Sequence, residues 1–179
     1  MENTFRGTTI CAIKKDGKIA VAGDGQVTFQ NSVVFKNNAR KVKRIYNNSV
    51  VVGFAGSVAD AFSLCERFEN QLNKYSGNLL RSAVALAQTW RADKAMRQLE
   101  ALMIVADKST ILMLDGTGNV IEPQDGICAI GSGGNYALAA AKAMMQNTEL
   151  TAKEIAYKAI KIASEICVFT NENIILEEV

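Results

Sequence analysis

The stretch TTICAIKKDGKIAVAGDG, residues 8–25, contains the strongest structural signal of the chain. Residues 8–14 alternate in character, and a second apolar run covers residues 18–22. Between them, Asp16-Gly17 is typical of a two-residue hairpin turn, so the stretch predicts two antiparallel strands. Because antiparallel pairing returns the second strand to the start of the first, we expect Asp24 to lie beside Thr8.

The remainder of the 179 residues divides into strand-like and helix-like segments with a single proline, Pro123, and no linker-like run. Strands are predicted near 41–46, 50–54, 101–106, 110–114, 127–130 and 174–176, and helices from Ser57, after Gly77, around 137–144 and from the capping box Thr151-x-x-Glu154. The predicted buried faces comprise Val58, Ala61, Phe62, Cys65, Phe68 and Leu72, then Leu80, Ala83, Val84 and Ala87, and finally Ile155, Ala159, Ile162 and Ile166. This order favours one α+β domain with two sheets facing each other and helices outside.

Bulk composition excludes several classes of protein. A formal net charge of +2 gives no support for nucleic acid or an anionic membrane as a partner. No apolar stretch approaches the roughly 20 residues that span a bilayer, and no signal peptide is evident. The four cysteines are widely spaced and no histidine accompanies them, so we expect reduced thiols in a cytoplasmic protein.

The absence of histidine also limits the possible chemistry. Zinc-protease and Ser-His-Asp mechanisms both require imidazole. A threonine at a chain terminus can instead use its own α-amine as the base, with a pKa of about 7.7–8.0 when unperturbed. Thr8 would become such a residue if a leader, Met1–Gly7, were removed, which leaves 8–179 as the mature domain. Taken alone, Thr8-Thr9 is more typical of an ordinary strand start.

Four other positions carry candidate chemistry, each with a structural alternative. Asp24, between two glycines, is a carboxylate near Thr8 or a simple turn residue. Residues 40–44 contain four cations, which form a solvated face unless strand alternation turns Lys41 and Lys43 towards Thr8. Ser132 lies in a glycine-rich turn, residues 131–134, that could cradle an anion or border a cleft. The amide of Gly56 precedes a predicted helix, as oxyanion donors often do.

Together these segments resemble the N-terminal nucleophile hydrolases of the proteasome β type over nearly the whole chain from Gly7. The resemblance rests on Thr8-Thr9-Ile10, Gly23-Asp24-Gly25-Gln26, Arg40-Lys41-Val42, Gly53-Phe54-Ala55-Gly56, Ala59-Asp60-Ala61-Phe62, Ala129-Ile130-Gly131-Ser132-Gly133-Gly134, and Glu165-Ile166-Cys167 with Thr170-Asn171. It implies a four-layer αββα sandwich and a threonine endopeptidase assembled as two stacked hexameric rings around a chamber. An AAA+ ATPase would bind the ATP and deliver unfolded polypeptides, without a nucleic-acid or membrane partner.

The resemblance also implies roles for individual residues. Thr8 matches the nucleophile, Asp24 and Lys41 the charged pair that tunes it, Ser132 the assisting hydroxyl, and Gly56 the oxyanion donor. Ser164, Cys167 and Thr170 match a site that binds a monovalent cation, with Na⁺ favoured, through main-chain carbonyls.

Two departures from the family pattern leave alternatives open. Many members carry only a methionine before the threonine, whereas seven residues precede Thr8 here. The segment between Asp24 and Lys41 is one residue longer than in some members, so Arg40 or Lys43 remains a possible partner of Asp24. The rival functions are a catalytically silent ring subunit with a retained leader and a nucleotide- or anion-binding module built on Gly131–Gly134.

Overall fold

A computed structural model describes residues 5–30, 32–56, 58–94, 96 and 101–179. The predicted helix-capping residue Ser57 and the first four residues of the predicted leader lie outside them. The strands are β1 (Phe5–Arg6), β2 (Thr9–Lys15), β3 (Lys18–Gly23), β4 (Val27–Phe29), β5 (Val33–Lys36), β6 (Val42–Ile45), β7 (Val50–Ala55), β8 (Leu102–Ala106), β9 (Ile111–Asp115), β10 (Val120–Ile121), β11 (Ile127–Gly131) and β12 (Ile175–Glu178). The helices are α1 (Val58–Lys74), α2 (Leu79–Ala92), α3 (Gly134–Asn147) and α4 (Ala152–Ile166).

The predicted hairpin forms the centre of a four-stranded antiparallel sheet with the order β11-β2-β3-β12. Ile10 pairs with Gly23, so the end of β3 lies beside the start of β2 as expected. Asp16 and Gly17 have φ angles of 51° and 74°, the left-handed values that a tight hairpin turn requires at both positions.

The second large sheet has the order β10-β9-β8-β7-β6 and is also antiparallel. Three clusters of buried side chains then define the layers. One lies between this sheet and α1 and α2, a second between the first sheet and α3 and α4, and the third between the two sheets. The predicted four-layer αββα sandwich is therefore confirmed.

A small third sheet, with the order β1-β4-β5, was not predicted. Its strands contain two, three and four residues, too few to show a clear period. Phe5 pairs with Phe29 and Arg6 with Thr28, so the segment just before Gly7 is part of a sheet. The backbone that leads into Thr8 is thus held on one side by β4.

Parts of the predicted helix faces were wrong. Phe62, Leu80, Val84, Ile162 and Ile166 are exposed, with 37–66% of their surface accessible. The core instead receives Leu64, Leu79, Leu86, Trp90 and Ile160, which were not in the predicted stripes. Apolar residues occur on two adjacent faces of these helices, and a period of 3.6 residues cannot tell which of the two meets the sheet. Among the described residues, none of the helices combines the length and apolar character needed to cross a bilayer.

Candidate active site

Thr8 lies between Gly7 and the start of β2, and only 5% of its surface is exposed. Its hydroxyl Oγ1 donates a hydrogen bond of 2.5 Å to the carbonyl oxygen of the preceding Gly7. Its own carbonyl oxygen accepts from the Ser132 amide at 2.8 Å. Gly7 has a φ of 113°, in the region that favours glycine. The side chain of Thr8 is therefore folded back onto the peptide bond that precedes it.

Asp24 lies beside this peptide, as the hairpin register predicts, and it is fully buried. Its Oδ1 accepts from the Thr9 amide at 2.7 Å, and its Oδ2 accepts from the amides of Gln26 at 2.9 Å and Asn171 at 3.4 Å. Lys41 Nζ donates to Oδ1 at 2.9 Å. Four donors from separate parts of the chain therefore converge on one buried carboxylate, as burial of a charge requires.

Lys41 connects Asp24 to the Gly7 carbonyl. Besides its ion pair with Asp24, its ammonium donates to the Gly7 oxygen at 2.7 Å and to the Gln26 carbonyl. Only 8% of the side chain is exposed. Burial lowers the pKa of Lys41 below its usual value, and the adjacent Asp24 carboxylate opposes that shift. All three protons of the ammonium have acceptors, one of which is the carbonyl before Thr8.

The structure distinguishes Lys41 from its two alternatives. Lys43 Nζ lies 5.2 Å from the centre of the Phe62 ring on α1, away from Asp24, and Arg40 is exposed. Strand alternation was expected to place Lys41 and Lys43 on one side, and that reasoning was wrong. Lys41 precedes β6, so alternation does not govern its direction.

Ser132 follows β11 in the glycine-rich turn. Gly131 has a φ of 91°, and a Cβ atom there would lie 2.1 Å from the Thr8 carbonyl oxygen, so the turn needs glycine to pack against Thr8. The amide of Ser132 donates to that oxygen, and the amide of Gly133 donates to Thr9 Oγ1 at 3.0 Å. These two amides thus bind Thr8 and Thr9, which weighs against an anion cradle at this turn.

Gly56 is exposed and has a φ of 136°, directly after the last residue of β7. The Cβ of the preceding Ala55 would lie 3.3 Å from a Cβ on Gly131. The end of β7 and the Ser132 turn therefore meet, and Gly56 follows at their junction.

Ser164, Cys167 and Thr170 belong to the last turn of α4 and the turn after it. Cys167 donates its amide to Ala163, and Thr170 donates its amide to Cys167 at 3.0 Å, which winds this backbone tightly. Carbonyls in the last turn of a helix lack intrahelical partners, and neutral oxygens are suitable ligands for a hard cation. These carbonyls are the type of ligand that a monovalent ion takes, and the one at Cys167 also accepts from the Thr170 amide.

Three polar residues around the site were given no role by sequence reasoning. Gln26 Nε2 donates to the Val168 carbonyl at 2.8 Å, and Asn171 Oδ1 accepts from the Gly25 amide at 3.1 Å. Thr9 Oγ1 lies 2.7 Å from Thr170 Oγ1. Each lies inside one of the motifs on which the family resemblance rests. A polar side chain in such a motif was the sequence signal that could have pointed to a role in the site.

A profile described as proteasome subunit matches residues 4–179. The chain belongs to the proteasome subunit family. It is 62% identical over 180 residues to the ATP-dependent protease subunit HslV of Enterococcus faecalis, with 99% of both chains covered, and 60% identical to that of Staphylococcus carnosus, again with 99% covered. The crystal structure of eukaryotic HslV from Trypanosoma brucei superposes with a TM-score of 0.91 at 47% identity, covering 95% of this chain and 98% of the other.

These similarities confirm the prediction of a proteasome-type threonine protease subunit. The predicted roles of individual residues depend on the contacts among Thr8, Asp24, Lys41 and Ser132.

Proposed function

We propose that the mature subunit begins at Thr8 and cleaves peptide bonds with Thr8 Oγ1 as nucleophile and the freed α-amine as base. One observation carries the proposal. The Gly7 carbonyl oxygen accepts hydrogen bonds from both Thr8 Oγ1 and Lys41 Nζ, at 2.5 and 2.7 Å. The would-be nucleophile and a cation therefore already meet at the bond whose cleavage would release the amine.

The same contacts support removal of the leader by the chain itself. Lys41 polarises the Gly7 carbonyl, and Thr8 Oγ1 adds to its carbon while the hydroxyl proton passes to the Thr8 nitrogen, which is the leaving group. Cleavage of the C–N bond leaves an ester between Gly7 and Thr8 and a free amine on Thr8. Water then hydrolyses the ester, which gives a leader ending in a Gly7 carboxylate and restores the hydroxyl.

Cleavage would also change the surroundings of Lys41. With the leader gone, one of its three donors loses the Gly7 acceptor and becomes available to Thr8 Oγ1. The nearby ammonium favours the alkoxide and lowers the pKa of the α-amine by like-charge repulsion. Both effects strengthen the attacking pair at neutral pH.

In turnover, Thr8 Oγ1 attacks the substrate carbonyl and its amine takes the proton. Gly56 N–H is our candidate donor to the developing oxyanion, and Ser132 assists proton movement. Breaking the peptide bond releases the amine product and leaves an acyl-enzyme on Thr8. Water activated by the amine releases the second product.

We propose that the subunit works in two stacked hexameric rings, in the cytoplasm, with an HslU-type AAA+ ATPase that hydrolyses ATP and feeds in unfolded polypeptides. The relatives are named as subunits of an ATP-dependent protease, which supports the proposal. Exposed apolar side chains on both helical layers, including Leu80 and Ile166, also support burial against other subunits.

We also propose that the carbonyls of Ser164, Cys167 and Thr170 hold a monovalent cation, Na⁺ by preference. When bound, the ion would supply fixed positive charge that orders the turn after α4. Asn171 in this turn donates its amide to Asp24, so order in the turn is transmitted to the carboxylate.

Intact mass tests the proposed function directly. We expect the purified wild-type chain to lose Met1–Gly7 and to be labelled at Thr8 by a β-lactone or vinyl sulfone. Thr8→Ala should assemble, keep the leader and hydrolyse no peptide. Thr8→Ser should retain part of the activity because hydroxyl and amine survive. Full activity in Thr8→Ala would contradict the assigned nucleophile.

The alternative of a catalytically silent ring subunit is not favoured, because the relatives carry the name of a protease subunit. It makes the opposite prediction in the same experiment: the wild-type chain would keep its leader and resist labelling.

A further inference from the structure

The side-chain hydroxyls of Thr9 and Thr170 lie beside the proposed site and take no part in the proposed reaction. Thr9 is fully buried and Thr170 is 5% exposed, and their Oγ1 atoms lie 2.7 Å apart although 161 residues separate them in the sequence. Thr9 Oγ1 also accepts from the Gly133 amide at 3.0 Å. A hydroxyl can donate once and accept twice, so Thr9 Oγ1 can make both bonds of this small network at once.

The network joins three elements that each carry a part of the proposed site. Thr9 directly follows the nucleophile Thr8 at the start of β2. Gly133 directly follows Ser132 and is the N-cap of α3, where it supplies no side-chain hydrogen bond of its own. Thr9 therefore provides from another element a hydrogen-bond acceptor to an amide at this helix start. Thr170 ends the turn after α4.

The atoms around Gly133 are closely packed, and there is no space for a side chain at this position. A Cβ atom on Gly133 would lie 2.3 Å from Thr9 Oγ1 and 2.6 Å from Thr170 Oγ1. Ser132 is joined to Thr8 from the other side, by the 2.8 Å bond between its amide and the Thr8 carbonyl. Consecutive amides at 132 and 133 thus bind the consecutive residues Thr8 and Thr9, and the hydroxyl that accepts the second of these bonds also contacts Thr170.

We propose that the Thr9–Thr170 hydroxyl pair is a positioning device that sets the Ser132 turn relative to Thr8. Thr9 and Thr170 are positioning residues, since they act through Ser132 and touch no reacting atom. The inference rests on the proposed function, because it assigns a partner to the nucleophile named there. A purely structural pair of buried hydroxyls would affect stability and leave the rate of the chemical step unchanged.

The test uses Thr9→Val and Thr170→Val, which keep the side-chain shape and remove the hydroxyl, in the assembled peptidase with its partner ATPase present. We expect kcat for a short peptide to fall by up to about 100-fold, as small misplacements of catalytic groups can cause, with KM nearly unchanged. Thr9→Ser and Thr170→Ser retain the hydroxyl and should restore most of the rate. Ser82→Ala is the matched control: Ser82 is a fully buried hydroxyl on α2 that donates to Asn78, so its loss should lower Tm only.

A double-mutant cycle with Ser132→Ala separates positioning from general stability. If Thr9 acts through Ser132, adding Thr9→Val to Ser132→Ala should cost little further rate. Full multiplication of the two effects, or a Thr9→Val chain with a lowered Tm and unchanged kcat, would overturn the proposal. If Thr9→Val does not fold, Thr170→Val gives the comparison in its place, since it removes the hydroxyl that contacts Thr9 Oγ1 and keeps the Thr9 side chain.

Different results would overturn the proposed function and the positioning role. A wild-type chain that neither sheds its leader nor is labelled at Thr8 overturns the proposed function, and the positioning role with it. A wild-type chain that passes both checks while the valine variants retain full kcat overturns the positioning role alone.

Discussion

At the scale of single residues, the site depends on how one buried lysine is shared. Lys41 donates to Asp24, to Gly7 and to Gln26, and burial lowers its pKa while Asp24 keeps the ammonium favourable. An ammonium in a poorly hydrated place acts more strongly on a nearby oxyanion than one in water. Under the proposed function, Lys41 would therefore have two consecutive roles, first on the Gly7 carbonyl and then on Thr8 Oγ1.

Replacement of Lys41 by methionine should lower peptide hydrolysis by about 100- to 1000-fold, the usual effect of removing a preorganised electrostatic group. The leader should also persist, which intact mass will show. Lys43→Met is the control, since Lys43 lies over Phe62 and should leave the rate unchanged. Because Lys41→Met leaves the Asp24 carboxylate buried without its cation, the double variant with Asp24→Asn distinguishes misfolding from lost chemistry. Activity near wild type in a folded Lys41→Met chain would return Lys41 to a structural role.

At the scale of elements, the turn between β11 and α3 is the part of the site with the least tolerance. A side chain at Gly131 would meet the Thr8 carbonyl oxygen at 2.1 Å, and the φ of 91° adds a penalty of about 1–2 kcal/mol. We expect Gly131→Ala to lower both Tm and kcat, because β2 or the turn must move. Gly17→Ala is the control: its φ is 74°, yet nothing lies within 4 Å of the added atom, so only Tm should fall. Equal effects of the two substitutions on kcat would contradict this assignment.

How far the sequence predicts an element depends on how local its signal is. The β2–β3 hairpin follows from Asp16-Gly17, and its register alone brings Asp24 to Thr8. The strand β4 has no comparable local signal. It is three residues long, and it pairs with β1 from a distant part of the chain and with β5, whose residues are exposed. Thr9 and Thr170 meet only after both halves of the chain have folded, so no pattern within either segment could have shown their contact. Lys41 was predicted from its motif context, whereas the strand-alternation argument for it failed.

At the scale of the whole molecule, each of the two large sheets is covered by a pair of helices that carry exposed apolar side chains on their outer surfaces. On α4, Ile162 and Ile166 lie one turn apart and are 37% and 56% exposed, and Val168 beyond the helix is 78% exposed. Monomeric proteins rarely leave such neighbouring apolar side chains in water. These apolar residues alternate along the chain with those proposed to bind the cation. The same segment would therefore contribute to subunit assembly and to the cation site.

Placing charge on this surface tests whether α4 packs against another copy of the chain. Ile162→Glu with Ile166→Glu should leave the subunit folded by circular dichroism, because neither side chain belongs to the buried core. The particle mass in analytical ultracentrifugation should fall, since burying two carboxylates in an apolar interface is unfavourable. Lys158→Glu, an exposed charged position one turn before Ile162, should assemble normally. Should the α4 double variant retain its full particle mass, the subunit contacts must lie elsewhere, and the same experiment on Leu80 and Val84 of α2 would then decide whether the other helical layer makes them.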